Sequence, residues 1–148
     1  ARPPQGGDIT QIIGVAAGDC DIAITNHYYY LLMQNSGEAA NRAAAEAVTL
    51  FFPNQETSGA HVNISGAGIA VNAPHPEEAR ELIAFFLSDE AQRMFAEMTN
   101  EIPVVEGVEW ENERLDAVMP FVADSRNVSE LGDHNATAQR IFDRVGWQ

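Results

Sequence analysis

Two periods of apolar residues run along the chain and divide it into predicted elements. Asp8-Ile9-Thr10-Gln11 resembles a capping box, with Asp8 as the cap and Gln11 three residues on. Ile9, Ile12, Ile13 and Ala16 follow at helical spacing, and Gly18 closes that helix. Residues 20–25 are a short apolar run that reads as a strand. Asn26-His27 make a turn into a helix over Tyr28 to Gln34, and the Ala- and Glu-rich stretch 37–47 predicts another. Val48 to Phe52 reads as a strand stopped by Pro53-Asn54, and His61–Ser65 and Ile69–Asn72 as two β-like segments around Gly66 and Gly68. Pro76 to Leu87 predicts an amphipathic helix. Proline sits in its first turn, Glu77-Glu78 favour its N-terminal dipole, and Ala79, Leu82, Ile83 and Phe86 share one face. Ser88-Asp89-Glu90 caps a further helix through Met98, with Met94, Phe95 and Met98 inward. The chain is extended around Pro103, turns through a short helix near 113–118, and ends in a helix over Asn135–Val145 closed by Gly146. Strands alternating with helices, without repeats or a break in composition, predict an α/β architecture.

Composition narrows the class. With 148 residues, 45% hydrophobic and 20% charged, the chain is long enough for one domain with a real core. No apolar run reaches the roughly 18 residues of a membrane-spanning helix. The first residues are polar and rich in Pro and Gly, which does not read as a signal peptide. The balance of 22 acidic against 8 basic residues gives a net charge of -14, and every basic residue is Arg. Such a surface repels nucleic acid and anionic membranes. A lysine-free acidic surface fits either a protein that works in high salt or a genome that favours Arg codons, and both readings stay open. Cys20 is the single cysteine, so no internal disulfide forms, and its setting predicts a small buried thiol. Three sequons, at Asn63, Asn127 and Asn135, matter only in a eukaryotic secretory pathway, which nothing else indicates.

Candidate chemistry centres on Tyr28-Tyr29-Tyr30, just after a predicted strand, where open α/β sheets place their ligands. A phenolate is a hard anionic oxygen donor suited to hard trivalent iron, and a highly charged cation drives its deprotonation. Adjacent side chains on a regular helix diverge by about 100°. Neighbouring rings therefore converge on one ion only at a helix start or a loop, and the Asn26-His27 turn provides that setting. From the residues alone, packing under the helix with the hydroxyls wet or hydrogen-bonded is the plainer account of the same tyrosines. His27 stands alone at its turn, and His61, His75 and His134 are scattered without zinc-ligand spacing. Glu77, Glu78 and Glu81 read as a solvated face, and no phosphate loop, nucleophile elbow or dinucleotide fingerprint occurs, so nothing supports an enzyme.

Several runs together resemble bacterial periplasmic ferric-iron-binding proteins, the class II substrate-binding receptors of iron(III) ABC importers. They are Gln5-Gly-Gly-Asp8, residues 15–23, Asn26-His-Tyr-Tyr29, Phe52-Pro-Asn-Gln55, residues 60–68, residues 87–92, Glu101-Ile-Pro-Val104 and residues 138–147. The resemblance implies a two-lobed α/β fold and a chain about twice this length, of which this sequence would be the C-terminal half. Residues 1–62 and 114–148 would form the second lobe, and 63–113 a segment of the first. It further implies a non-catalytic, periplasmic or lipid-anchored receptor that binds Fe(III) and delivers it to an ABC-transporter permease. The family's iron tyrosines map onto Tyr28 and Tyr29, while Tyr30 falls at a packing position. Asn26 matches a position that contacts a bound anion in some members, and Asp8 lies at a helix start facing the same cleft, where its carboxylate opposes an anion co-ligand. His27 and Ile102 depart from the family pattern. A piece of such a fold is expected to hold iron weakly or not at all, and dimerisation, segment exchange or rearrangement are open to it. The alternatives are a receptor of the same fold for an organic anion or polyamine, and a module with no retained ligand.

Overall fold

The computed structural model describes residues 3–147. The chain divides into two compact units, Ala1–His61 with Phe121–Gln148, and Val62–Pro120.

In the first unit the predicted helices form close to their expected bounds. They are α1 (Asp8–Ala16), α2 (His27–Gln34) and α3 (Ala39–Glu46). Gly18, with φ of 77°, turns the chain after α1 where a side chain would be strained. Ile12, Met33 and Ala45, one from each helix, bury against one another, and Ile9, Tyr29, Tyr30, Ala44 and Val48 pack around them. Helical spacing puts these residues on facing stripes, and each helix buries the stripe it cannot satisfy alone.

A second tie joins distant parts of this unit. Ala60 and Ala123 form a parallel bridge, with Ala60 N donating to Val122 O and Asp124 N to Ala60 O, both at 2.7 Å. Gln55 reinforces it: its Oε1 accepts from Val122 N at 2.6 Å and its Nε2 donates to Val122 O at 3.1 Å. Phe52 stacks on Phe121 with ring centroids 4.3 Å apart. Helix α7 (Ser129–Val145) follows, and Gly146 in the left-handed conformation ends it. It begins six residues before the sequence pattern predicts, and none of its residues is buried.

The second unit holds α4 (Pro76–Phe86), α5 (Asp89–Met94) and the single turn α6 (Glu113–Asp116). Ser88 caps α5 as predicted, its Oγ accepting from Ala91 N at 3.3 Å. The helix does not run on to Met98 in the same form: residues Phe95–Thr99 widen into a π turn. Moving the hydrogen bond one residue on rotates the faces. Ala91, Gln92 and Ala96 are buried, while Met94 and Met98, predicted inward, are 46% and 70% exposed. The buried polar side chains are satisfied. Gln92 Nε2 donates to Phe86 O at 2.7 Å and its Oε1 accepts from Val104 N at 2.8 Å. Asn112 Nδ2 donates to Ala96 O at 2.8 Å and Asn100 Oδ1 at 2.9 Å, and its Oδ1 caps α6. Leu115, fully buried, anchors that turn.

The strand predictions do not hold: among the described residues no segment forms a strand, so the α/β architecture rests on no sheet here. Residues 22–26, 48–52 and 61–70 take neither helix nor ladder. A strand exists only where a neighbour takes its backbone N–H and C=O groups, and alternation in the sequence marks a face without supplying that neighbour. Ile22 and Ile24, expected to be buried, are 84% and 82% exposed, and Cys20 is only half-buried.

Candidate functional site

Sequence chemistry converges on the start of α2. Asn26 is the residue before the helix, extended at φ -76° and ψ 139°, and makes no side-chain cap. Tyr29 N donates to Asn26 O at 3.2 Å, closing the first turn. Tyr28 and Tyr29 are the second and third residues of α2, inside its first turn. Their ring centroids lie 4.6 Å apart, inclined at 44°. Both are half-buried. Tyr29 leans on the Ile12–Met33–Ala45 core. Tyr30 packs on that core too, and its hydroxyl accepts from Gln34 Nε2 at 3.2 Å.

His27 meets Tyr28 edge-on at 5.7 Å between ring centroids and lies 6.4 Å from Phe52. With the Phe52–Phe121 stack, an aromatic row backs the tyrosine pair. Phe121 lies far along the chain from the tyrosines, and nothing local in the sequence links it to them. The Phe52-Pro-Asn-Gln run marks one half of the stack only.

Asp8 departs from its predicted role. Gly7, not Asp8, precedes α1, and no side chain caps that helix. The Asp8 carboxylate instead crosses to the turn before α2. Its Oδ1 accepts from Asn26 N at 2.7 Å, Thr25 Oγ1 at 2.9 Å and Asn26 Nδ2 at 3.2 Å. A capping box satisfies donors of its own helix, but these donors lie 17 and 18 residues on.

Two adjacent phenols in the first turn of α2 supply hard oxygen donors of the kind a hard cation takes. Among the described residues no three His, Cys, Asp or Glu side chains gather into a metal-binding group. The second unit has a separate open cavity of about 770 Å³ beside Arg93, Glu97, Trp110 and Asp116. Its polar groups are engaged with one another: Trp110 Nε1 donates to Asp116 Oδ1 at 3.0 Å, and Glu111 N to Glu97 Oε1 at 3.1 Å.

The chain belongs to the bacterial extracellular solute-binding protein family, whose profile matches residues 11–117. Within it, the chain is 44% identical to Iron uptake protein A2 of Synechocystis sp. over 154 residues, covering 100% of this chain and 43% of that protein. Among solved structures it resembles the Trichodesmium IdiA (FutA) protein in complex with iron and citrate, at 46% identity and a TM-score of 0.89, over 100% of this chain and 46% of that one. The ferric binding protein of Campylobacter jejuni matches at 30% identity and a TM-score of 0.93, over 100% of this chain and 46% of its own. The chain thus spans less than half the length of the relatives it matches.

Proposed function

We propose that this chain contributes to an extracytoplasmic Fe(III)-binding receptor of an ABC importer, with Tyr28 and Tyr29 as its iron ligands. The observation that carries the reading is the tyrosine pair, held ring against ring at the start of α2. The iron-handling relatives named above support it from a second direction. The chemistry is reversible coordination: ferric iron displaces the phenolic protons, and the two phenolates hold the ion until the receptor docks on its permease. No bond in a substrate is made or broken, so the role is not catalytic. His27, edge-on to Tyr28, buttresses the ring rather than binding metal. Residues 1–62 and 114–148 are assigned to the second lobe and 63–113 to the first. The two compact units support that division, with the later boundary falling at Pro120 rather than residue 113.

A second reading, an organic-anion receptor of the same fold, draws on the citrate present with iron in the Trichodesmium relative. Asn26 is the residue that would hold an anion, but its amide already donates to the Asp8 carboxylate.

Titrating the 148-residue chain with ferric citrate separates the two. Iron bound by phenolates gives a visible charge-transfer colour, weakly held because two phenolates complete only part of a coordination shell. Citrate alone gives none. Tyr28→Phe combined with Tyr29→Phe abolishes the colour. Colour that survives the double substitution rules out the assignment.

A further inference from the structure

We infer that Asp8 is a positioning residue for the tyrosine pair: its carboxylate fixes the 25–26 turn that launches α2, and iron affinity depends on it through that turn. The inference rests on the iron reading of Tyr28 and Tyr29.

Three observations carry it. First, Asp8 Oδ1 accepts three hydrogen bonds, from Asn26 N, Thr25 Oγ1 and Asn26 Nδ2. One carboxylate oxygen has about two lone pairs, so Oδ1 has none left for a metal. Second, Asn26 precedes α2 yet caps nothing with its own side chain. Asp8, from the first turn of α1, supplies side-chain contacts that hold this residue instead. Third, the fixed residue connects directly to the tyrosines: Asn26 O accepts from Tyr29 N, and Tyr28 lies between them. A rotation of the Asn26 peptide is passed on to both rings within one helical turn.

Outer partners that orient metal ligands typically matter by about 10- to 100-fold in metal affinity. Asp8→Ala removes all three acceptor contacts and is expected to weaken ferric binding by about that factor in the charge-transfer titration. Asp8→Asn keeps an oxygen at the same place and loses the charge. It is expected to retain most of the affinity and the parent band position. Thr25→Val removes one donor and falls between the parent and Asp8→Ala.

Stability alone must not account for the loss. Leu115→Val loosens the buried centre of the second unit and touches neither the turn nor the core beneath Tyr29, and is expected to lower the melting temperature while leaving the ferric titration unchanged. The measurement is the apparent ferric dissociation constant and band position of each variant, at a temperature where circular dichroism shows all of them folded. Should Asp8→Ala not fold, Thr25→Val and Asp8→Asn carry the test. Parent-like affinity in Asp8→Ala, or in Thr25→Val where it stands in, overturns the inference. So does a loss in Asp8→Asn as large as that in Asp8→Ala, which would make the charge itself the active feature. These failures are distinct from failure of the iron reading, in which the tyrosine double substitution has no effect.

Discussion

At the scale of single residues, the side chains with sharply defined roles are short acids and amides that bind backbone. Asp8 is one, and Asp124 is another. Asp124 Oδ1 accepts from Arg126 N at 3.0 Å and Arg126 Nε at 3.2 Å, and its backbone N–H donates into the Ala60 bridge. The Arg126 backbone bond, and then its guanidinium, hold the Asp124 carboxyl below its ordinary value. A carboxyl whose folded pKa is depressed favours the folded state above the unfolded value of about 3.9. That contribution disappears as pH falls through the lower folded value. Asp124→Asn is therefore expected to melt slightly below the parent near neutral pH, with the gap closing as pH drops below about 4. Melting curves across that range check it, and a gap that widens on acidification contradicts the sign. Its partner Arg126 is exposed to solvent, so the effect is small.

Elements tell a different story from residues. The helices were legible because their signals are local. Pro76 with Glu77-Glu78 started α4 where expected, and Ser88 capped α5. The π turn at Phe95–Thr99 was not legible: no local residue pattern marks it, and Asn112, whose amide donates to Ala96 O within it, lies 16 residues on. Extended segments failed for a further reason: a strand is a relation between two segments, and alternation along one cannot supply the other. The site divides the same way. The tyrosine pair was readable because its residues are adjacent. Asp8 was misread as a cap because its true partners lie across the fold at Thr25 and Asn26. The Ala60–Ala123 bridge yields a prediction at this scale. Gly59 sits at φ 84°, and a Cβ there would stand 2.6 Å from the backbone C and O of Ala123. Backbone atoms in a bridge cannot step aside as a side-chain tip can. Gly59→Ala is expected to cost at least about 1–3 kcal/mol through the left-handed conformation, with the clash added. Denaturant unfolding measures it, and an unchanged midpoint refutes the bridge as a structural tie.

For the whole molecule, charge is the property that no single contact explains. A net charge of -14 over 148 residues, with 22 acidic residues against 8 arginines and no lysine, leaves most carboxylates without a basic partner. The ion pairs described offset little of this: Arg80–Glu77, Arg126–Asp124 and His75–Glu78 are exposed on at least one side, and pairs of that kind are worth about 0–1 kcal/mol each. Repulsion between charges far apart dominates instead, and its range is set by salt. The Debye length falls from about 30 Å at 0.01 M to about 3 Å at 1 M. Folding concentrates the charges, so screening favours the folded state. The melting temperature is expected to rise between about 0.01 and 1 M KCl, most steeply in the lower part of the range. A flat or falling midpoint would show that self-repulsion does not limit stability. The shape of the rise separates the two origins of the acidic composition. Simple screening saturates once the Debye length is shorter than the spacing between carboxylates. A chain adapted to high salt keeps gaining beyond that point, because its carboxylate surface is then the form in which it is most stable.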